Sequence, residues 1–274
     1  MLNQRGYFGP ADHKLFGATH RSSAAPTGAV LLCAPFGEER KCATRLLFET
    51  ATALQQDGID ALRFDYSGTG DSPGAHAAAT ISGWQADCRV AAETLQGAVA
   101  DAKITGIGAR LGANLLLGCA SAEGSPSPHT RIRRFVLWEP LPTGADYLDE
   151  MIRRKQIKEA IGAGQAGKYS RETLWRDSNV VDFDGFPISA TMADELASLD
   201  LMATLNNLPD CDVLILHVTS ARQLPLNWQR LADLCAERQG FELRVIHDKP
   251  FWGRLDHYQA DNLLNATRNF CLEA

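Results

Sequence analysis

Residues 104–113, Ile-Thr-Gly-Ile-Gly-Ala-Arg-Leu-Gly-Ala, constrain the fold more than any other stretch of this 274-residue chain. An apolar strand runs into Gly108-Ala109-Arg110-Leu111-Gly112, and the residues after it continue as a helix. A bend that sharp needs small residues on either side of its tip, the pattern of a G-x-S-x-G turn at the end of a parallel strand. Here the flanks are kept and the tip is Arg110. A guanidinium stays protonated near neutral pH and has no acceptor, so Arg110 can neither attack a carbonyl nor serve as a general base. It can hold an anion, together with the N–H groups at the start of the following helix.

Strands and helices alternate on both sides of the bend. Residues 14–20 read as an early strand and 29–35 as a buried parallel strand; 41–56 follow at helical spacing, stopped by Asp57-Gly58. A strand at 61–65, a turn-rich loop from Ser67 and a helix over 80–99 lead to the bend, its helix, a Ser/Pro loop at 121–130 and the strand 134–138. This predicts an α/β fold, a mostly parallel sheet flanked by helices. From 141 to about 205 the alternation fails, and the stretch reads as helices, among them 145–161 and 190–205, joined by a Gly-rich link at 162–167. Strand 212–217, helix 226–239, strand 241–247 and helix 258–272 then resume the pattern. The organisation expected is a core in two parts, 1–140 and 209–274, with a helical cap insertion at 141–208. Ligands of such sheets sit outside the carboxyl ends of the strands. The pocket is therefore expected among the bend, the Phe36–Glu39 loop, the Ser67–Ser72 loop and the cap.

Composition narrows the partners. With 27 basic against 33 acidic residues the net charge is −6, which argues against nucleic-acid binding. No run approaches the roughly 20 apolar residues of a membrane span, and the N-terminus lacks an apolar leader. Seven scattered cysteines without a C-x-x-C pair fit a reducing cytoplasm. No His/Cys spacing suggests a metal, and no helix opens within Gly68–Gly74 as a dinucleotide fingerprint requires, so no cofactor is expected. The partner expected is a small anionic or acyl ligand.

Five separated motifs occur in order: Pro35-Phe36-Gly37-Glu38-Glu39, Phe64-Asp65-Tyr66-Ser67-Gly68-Thr69-Gly70-Asp71-Ser72, the Gly-x-Arg-x-Gly bend, Leu137-Trp138-Glu139-Pro140 and Pro250-Phe251-Trp252. In these, and in the order of elements over nearly its whole length, the chain resembles the α/β-hydrolase fold and, more narrowly, the exosortase A system-associated hydrolases, type 2. The resemblance implies an α/β-hydrolase architecture with an arginine at the bend and a setting beside exopolysaccharide and exosortase genes. It leaves the chemistry open.

Arg110 has two readings, an anion clamp or one half of an internal ion pair with Glu38 or Glu39. Either glutamate could instead activate a water, with Arg110, the Leu111 amide and the Phe36-Gly37 backbone stabilising an oxyanion. Against that stands charge compensation at the start of the helix near Lys41. Ser67 and Cys33 are possible displaced nucleophiles, or else a turn residue and a buried core thiol. Trp138 and Trp252, with Phe251 and Trp175, could line an apolar subsite or simply pack. His217, His247 and His257 lack a nucleophile to activate, and no acid follows His217 in 218–225, so structural or solvated roles are expected for them.

Overall fold

The computed structural model describes residues 3–99, 103–121, 132–163, 169–176, 178–253 and 259–273. The first part of the chain forms β1 (Asn3–Phe8), β2 (Leu15–His20), β3 (Gly28–Cys33), α1 (Gly37–Gln56), β4 (Ile59–Phe64), α2 (Ile81–Val99), β5 (Ile104–Ala109), α3 (Leu111–Ser121) and β6 (Arg134–Trp138). An excursion follows, comprising α4 (Gly144–Ala163), the single turn α5 (Arg171–Leu174), β7 (Val180–Phe183), β8 (Phe186–Ser189), α6 (Ala190–Ala197) and α7 (Leu201–Asn206). The chain returns through β9 (Asp212–Thr219), α8 (Leu226–Glu237), β10 (Phe241–His247) and α9 (Asp261–Leu272).

Eight strands make one sheet in the order β1-β2-β4-β3-β5-β6-β9-β10. β1 and β2 run antiparallel and the rest are parallel. The central strands read as unbroken apolar runs because helices cover both of their faces. On one face Leu31, Leu137 and Ile215 pack with α2, α3 and α8; on the other Leu32, Ile107 and Leu214 pack with α1 and α9. The mostly parallel α/β sheet expected from the alternation is observed, in the α/β-hydrolase-like form that the resemblance implies.

Three local expectations are corrected. The edge strand β1 was not foreseen, because Asn-Gln-Arg-Gly-Tyr-Phe shows no apolar alternation; its exposed side chains need none at a sheet edge. The excursion is not wholly helical, since β7 and β8 form a hairpin whose tip, Asp184-Gly185, has φ of 59° and 89°. Asp-Gly is the pair that tolerates two left-handed residues in a tight hairpin. The stretch 190–205 is two helices, with Asp200 capping the second by accepting from the Ala203 N–H. Leu201 N–H to Pro142 O and Gly144 N–H to Leu199 O tie the start of the excursion to its end. The Ser/Pro loop beyond 121, residues 164–168 of the Gly-rich link and His257 lie outside the described residues. Among the described residues no helix is long and apolar enough to cross a membrane.

His20 at the end of β2 gives the fold a pH dependence. Its imidazole is buried, with the Arg63 and Arg5 charges close by, and these effects in that order lower its pKa from 6.5 to about 4. Between those values the unfolded chain takes up a proton that the native state refuses, so stability is present above 6.5 and falls as the pH drops toward 4. Urea midpoints measured from pH 7 to pH 4.5 are expected to decline less in His20→Gln than in the parent, the difference being on the order of 2 kcal/mol.

Candidate functional site at the strand to helix bend

The bend forms because two glycines allow backbones to touch. A Cβ on Gly108 would lie 2.4 Å from Ala113 Cα, and one on Gly112 would lie 2.4 Å from the carbonyl oxygens of both Cys33 and Ala34. The start of α3 is therefore pressed against the end of β3 and the loop that leads to Phe36. Arg110 at the tip has a φ of 51°. For a residue with a Cβ this left-handed conformation costs about 1–2 kcal/mol. Its N–H donates to Trp138 O (2.9 Å) and its carbonyl accepts from Ala113 N–H (3.0 Å), which hold the strained residue in place.

The guanidinium turns toward α1. Arg110 Nε donates to Glu39 Oε1 (2.9 Å), and the two side chains are only 17% and 4% exposed. Arg110 Nη1 donates to the Glu139 carbonyl oxygen (3.2 Å). Burial works against the guanidinium's charge, but Glu39, then Tyr147 and Glu139, outweigh it and leave its pKa above the usual value. Glu39 Oε2 accepts from the Tyr147 hydroxyl (3.1 Å), so α4 of the excursion reaches over the bend and closes the ion pair from above. Burial, then the Glu39 charge, pushes the Tyr147 phenol well above its usual range, which keeps it a donor. The Tyr147 and Trp252 rings lie 5.9 and 5.8 Å from the guanidinium carbon.

A second carboxylate stands behind the first. Glu139, buried at the end of β6 with a φ of 45°, accepts from the Trp252 indole N–H. Its Oε1 lies 2.9 Å from His217 Nδ1, a charge contact that is off-line for a hydrogen bond. The His217 ring stacks on Trp228 with centroids 3.9 Å apart. Arg110 therefore sits between Glu39 and Glu139.

Of the residues singled out in the sequence, Arg110, Glu39 and Trp252 come together here. Glu38 does not: it pairs with Lys41 on the surface of α1. Leu111 is buried as the first residue of α3, and Gly37 takes a left-handed φ of 62° at the start of α1. The Phe36 side chain is buried among His76, Trp84 and Phe186. Trp138 is fully buried on the α9 side, its indole donating to Thr267 Oγ1 (2.9 Å), so neither of these two rings faces Arg110. Ser67 donates its hydroxyl (2.9 Å) and its N–H (2.7 Å) to Asp87, which also lies 2.5 Å from His13 Nε2. The serine thus faces a carboxylate rather than an imidazole, which fits a turn residue. Cys33 is buried against Cys88, and the Trp175 indole donates to Ile188 O within the excursion.

Sequence reasoning missed Tyr147, Glu139 and the partner of His217. The acid was sought after β9, whereas Glu139 leaves the neighbouring strand β6. Trp-Glu-Pro at a strand's carboxyl end was the available signal, since charged residues there face the ligand-binding edge of such sheets.

No family model matches the chain, and no curated protein does. Solved structures do. Est1E of Butyrivibrio proteoclasticus, solved with ferulic acid bound, aligns over 98% of each chain with a TM-score of 0.70 and 16% identity. An esterase of Pyrococcus furiosus aligns over 99% of this chain and 90% of its own (TM-score 0.65, 14% identity). The alpha/beta hydrolase GrgF of a Penicillium species aligns over 100% and 99% (TM-score 0.65, 15% identity). At these identities what the chain shares with them is the α/β-hydrolase fold.

Proposed function

We propose that this chain binds a small anionic or acyl molecule between the Arg110 bend and the cap, in the cytoplasm, and that it does so without a serine nucleophile, as a protein of the exosortase A system-associated hydrolase, type 2, kind. The observation that carries this reading is the guanidinium at the bend. Nε and Nη1 have protein partners, whereas Nη2 has none among the described residues and so retains two donors. The Leu111 and Gly112 N–H groups that open α3 stand beside it without an intrahelical acceptor, as at any helix start. Tyr147 above and Trp252 beside the guanidinium supply aromatic walls. The ferulic acid bound to Est1E, on the same fold, supports a ligand with an acyl or carboxylate group.

The test is the thermal shift given by ferulic acid. It is expected to raise Tm in the parent and to have no effect in the double variant Arg110→Leu/Glu39→Leu, which removes both charges together because apolar replacement of a buried ion pair is commonly neutral. A shift that survives in the double variant overturns the reading. So does a covalent adduct in the intact mass after treatment with a fluorophosphonate.

One contact favours a second reading, an ester, thioester or amide hydrolase or acyltransferase that works through water. Glu38 is paired with Lys41, and Glu39 accepts from both Arg110 and Tyr147, so neither is a free base. The contact between His217 and Glu139 offers another acid–base pair beside Arg110. Turnover of p-nitrophenyl acetate that disappears in His217→Gln is the result expected under this reading. Losing an oxyanion donor costs about 2.7–4 kcal/mol of barrier, roughly 100- to 1000-fold in rate.

A further inference from the structure

The antiparallel edge of the sheet brings together two arginines that the bend does not involve. Arg5 of β1 is opposite Ala18 of β2, and Ala18 is opposite Arg63 of β4. Directly opposite residues share a face, so Arg5 and Arg63 flank a methyl group on the side covered by α1. Two strand spacings of about 4.8 Å put their backbones roughly 10 Å apart, a distance from which two extended guanidinium groups converge on one small ion. A cleft of about 300 Å³ lies there, with Arg5, Ala18 and Arg63 on the sheet side and Arg40, Thr44 and Leu47 of α1 on the other.

The charges in the cleft do not cancel. Arg40 pairs with Asp65, which also accepts the Asp71 N–H. Arg5 and Arg63 have no ion-pair partner among the described residues, and Asp71 is the one other carboxylate lining the cleft. Arg63 Nε donates to His20 Nε2 (3.2 Å), and its guanidinium carbon lies 5.3 Å from the Phe48 ring centre. Both partners are uncharged, because His20 can accept this bond only as neutral imidazole. Burial and then the Arg5 charge lower the proton affinity of Arg63, against the pull of Asp65. The two guanidinium groups therefore repel each other across Ala18, and an oxyanion between them would turn that repulsion into attraction.

We propose that this cleft is a second ligand site, in which a phosphate or carboxylate group is held between Arg5 and Arg63 above Ala18. Arginine forks match both oxyanions in geometry, and the alanine leaves the space the ion needs. The volume is at the low end for small-molecule sites, which suits a single phosphoryl or carboxylate group with few further atoms. The inference stands independently of the reading of the Arg110 bend.

The experiment is thermal unfolding of the whole chain in sodium phosphate, sodium acetate and sodium chloride at matched ionic strength. Phosphate or acetate is expected to raise Tm above chloride, and the anion with the larger effect identifies the group recognised. Arg5→Gln changes an exposed residue on the edge strand and is expected to weaken the apparent affinity at least tenfold. Ala18→Asp places a carboxylate between the arginines and is expected to raise Tm in chloride while erasing the response to added anion. Equal Tm in all three salts overturns the proposal, as does a response unchanged in both variants. A response kept in both and lost in Arg110→Leu/Glu39→Leu assigns the ion to the bend, overturning this inference and leaving the reading of the bend intact.

Discussion

Glu39→Ala is expected to destabilise the protein by about 3–5 kcal/mol, because it strands the Arg110 guanidinium in a buried position with its main counter-charge gone. The same change removes the acceptor of the buried Tyr147 hydroxyl. A surface ion pair would give no such effect, since exposed pairs contribute about 0–1 kcal/mol. Lys41 and Glu38, one residue earlier on the same helix, supply the control: Glu38→Ala is expected to fall within that small range. Urea denaturation measures both, as a fall in midpoint at unchanged slope. Replacing both partners, as in Arg110→Leu/Glu39→Leu, is expected to recover most of the loss, so the single effects will be far from additive. Equal effects for Glu38→Ala and Glu39→Ala would show that the buried pair is not holding the bend.

Gly112→Ala is the second large effect. Alanine is normally the better helix residue by about 1 kcal/mol, and Gly112 lies in the first turn of α3. Yet its Cβ would sit 2.4 Å from two backbone carbonyl oxygens, those of Cys33 and Ala34, and backbone atoms in the middle of a sheet cannot swing aside. The helix would have to lift from β3, opening the site at its base. A loss at or above the upper end of the about 1–3 kcal/mol typical of overpacking is expected, together with loss of the ferulic acid response. Gly97→Ala on α2, where nothing lies within 4 Å of the new methyl, is expected to raise stability by up to about 1 kcal/mol. Opposite signs at two helical glycines would separate close approach from propensity.

Most of the sheet was legible because a parallel strand buried on both faces must be apolar throughout, and glycine, proline and asparagine or aspartate mark where it ends. β6 was located to the residue for that reason. The edge strand β1 and the β7–β8 hairpin were not legible as strands. One face of an edge strand meets water, which removes the apolar signal, and the hairpin is four residues a side, too short for a period to stand out from adjoining helices.

The bend was determined by sequence alone, since only glycine fits where backbones come within contact and an arginine between two glycines remains a cation wherever the chain places it. The partner of that cation was not. Glu38 and Glu39 are adjacent in the chain with the same chemistry, and the 100° step of a helix sends one to water beside Lys41 and the other inward to Arg110. Tyr147 and Glu139, 37 and 29 residues beyond the bend, reach it only because the excursion folds back over the sheet and β6 lies next to β5. Local chemistry wrote the shape and charge of the tip, while long-range packing chose which carboxylate would meet it.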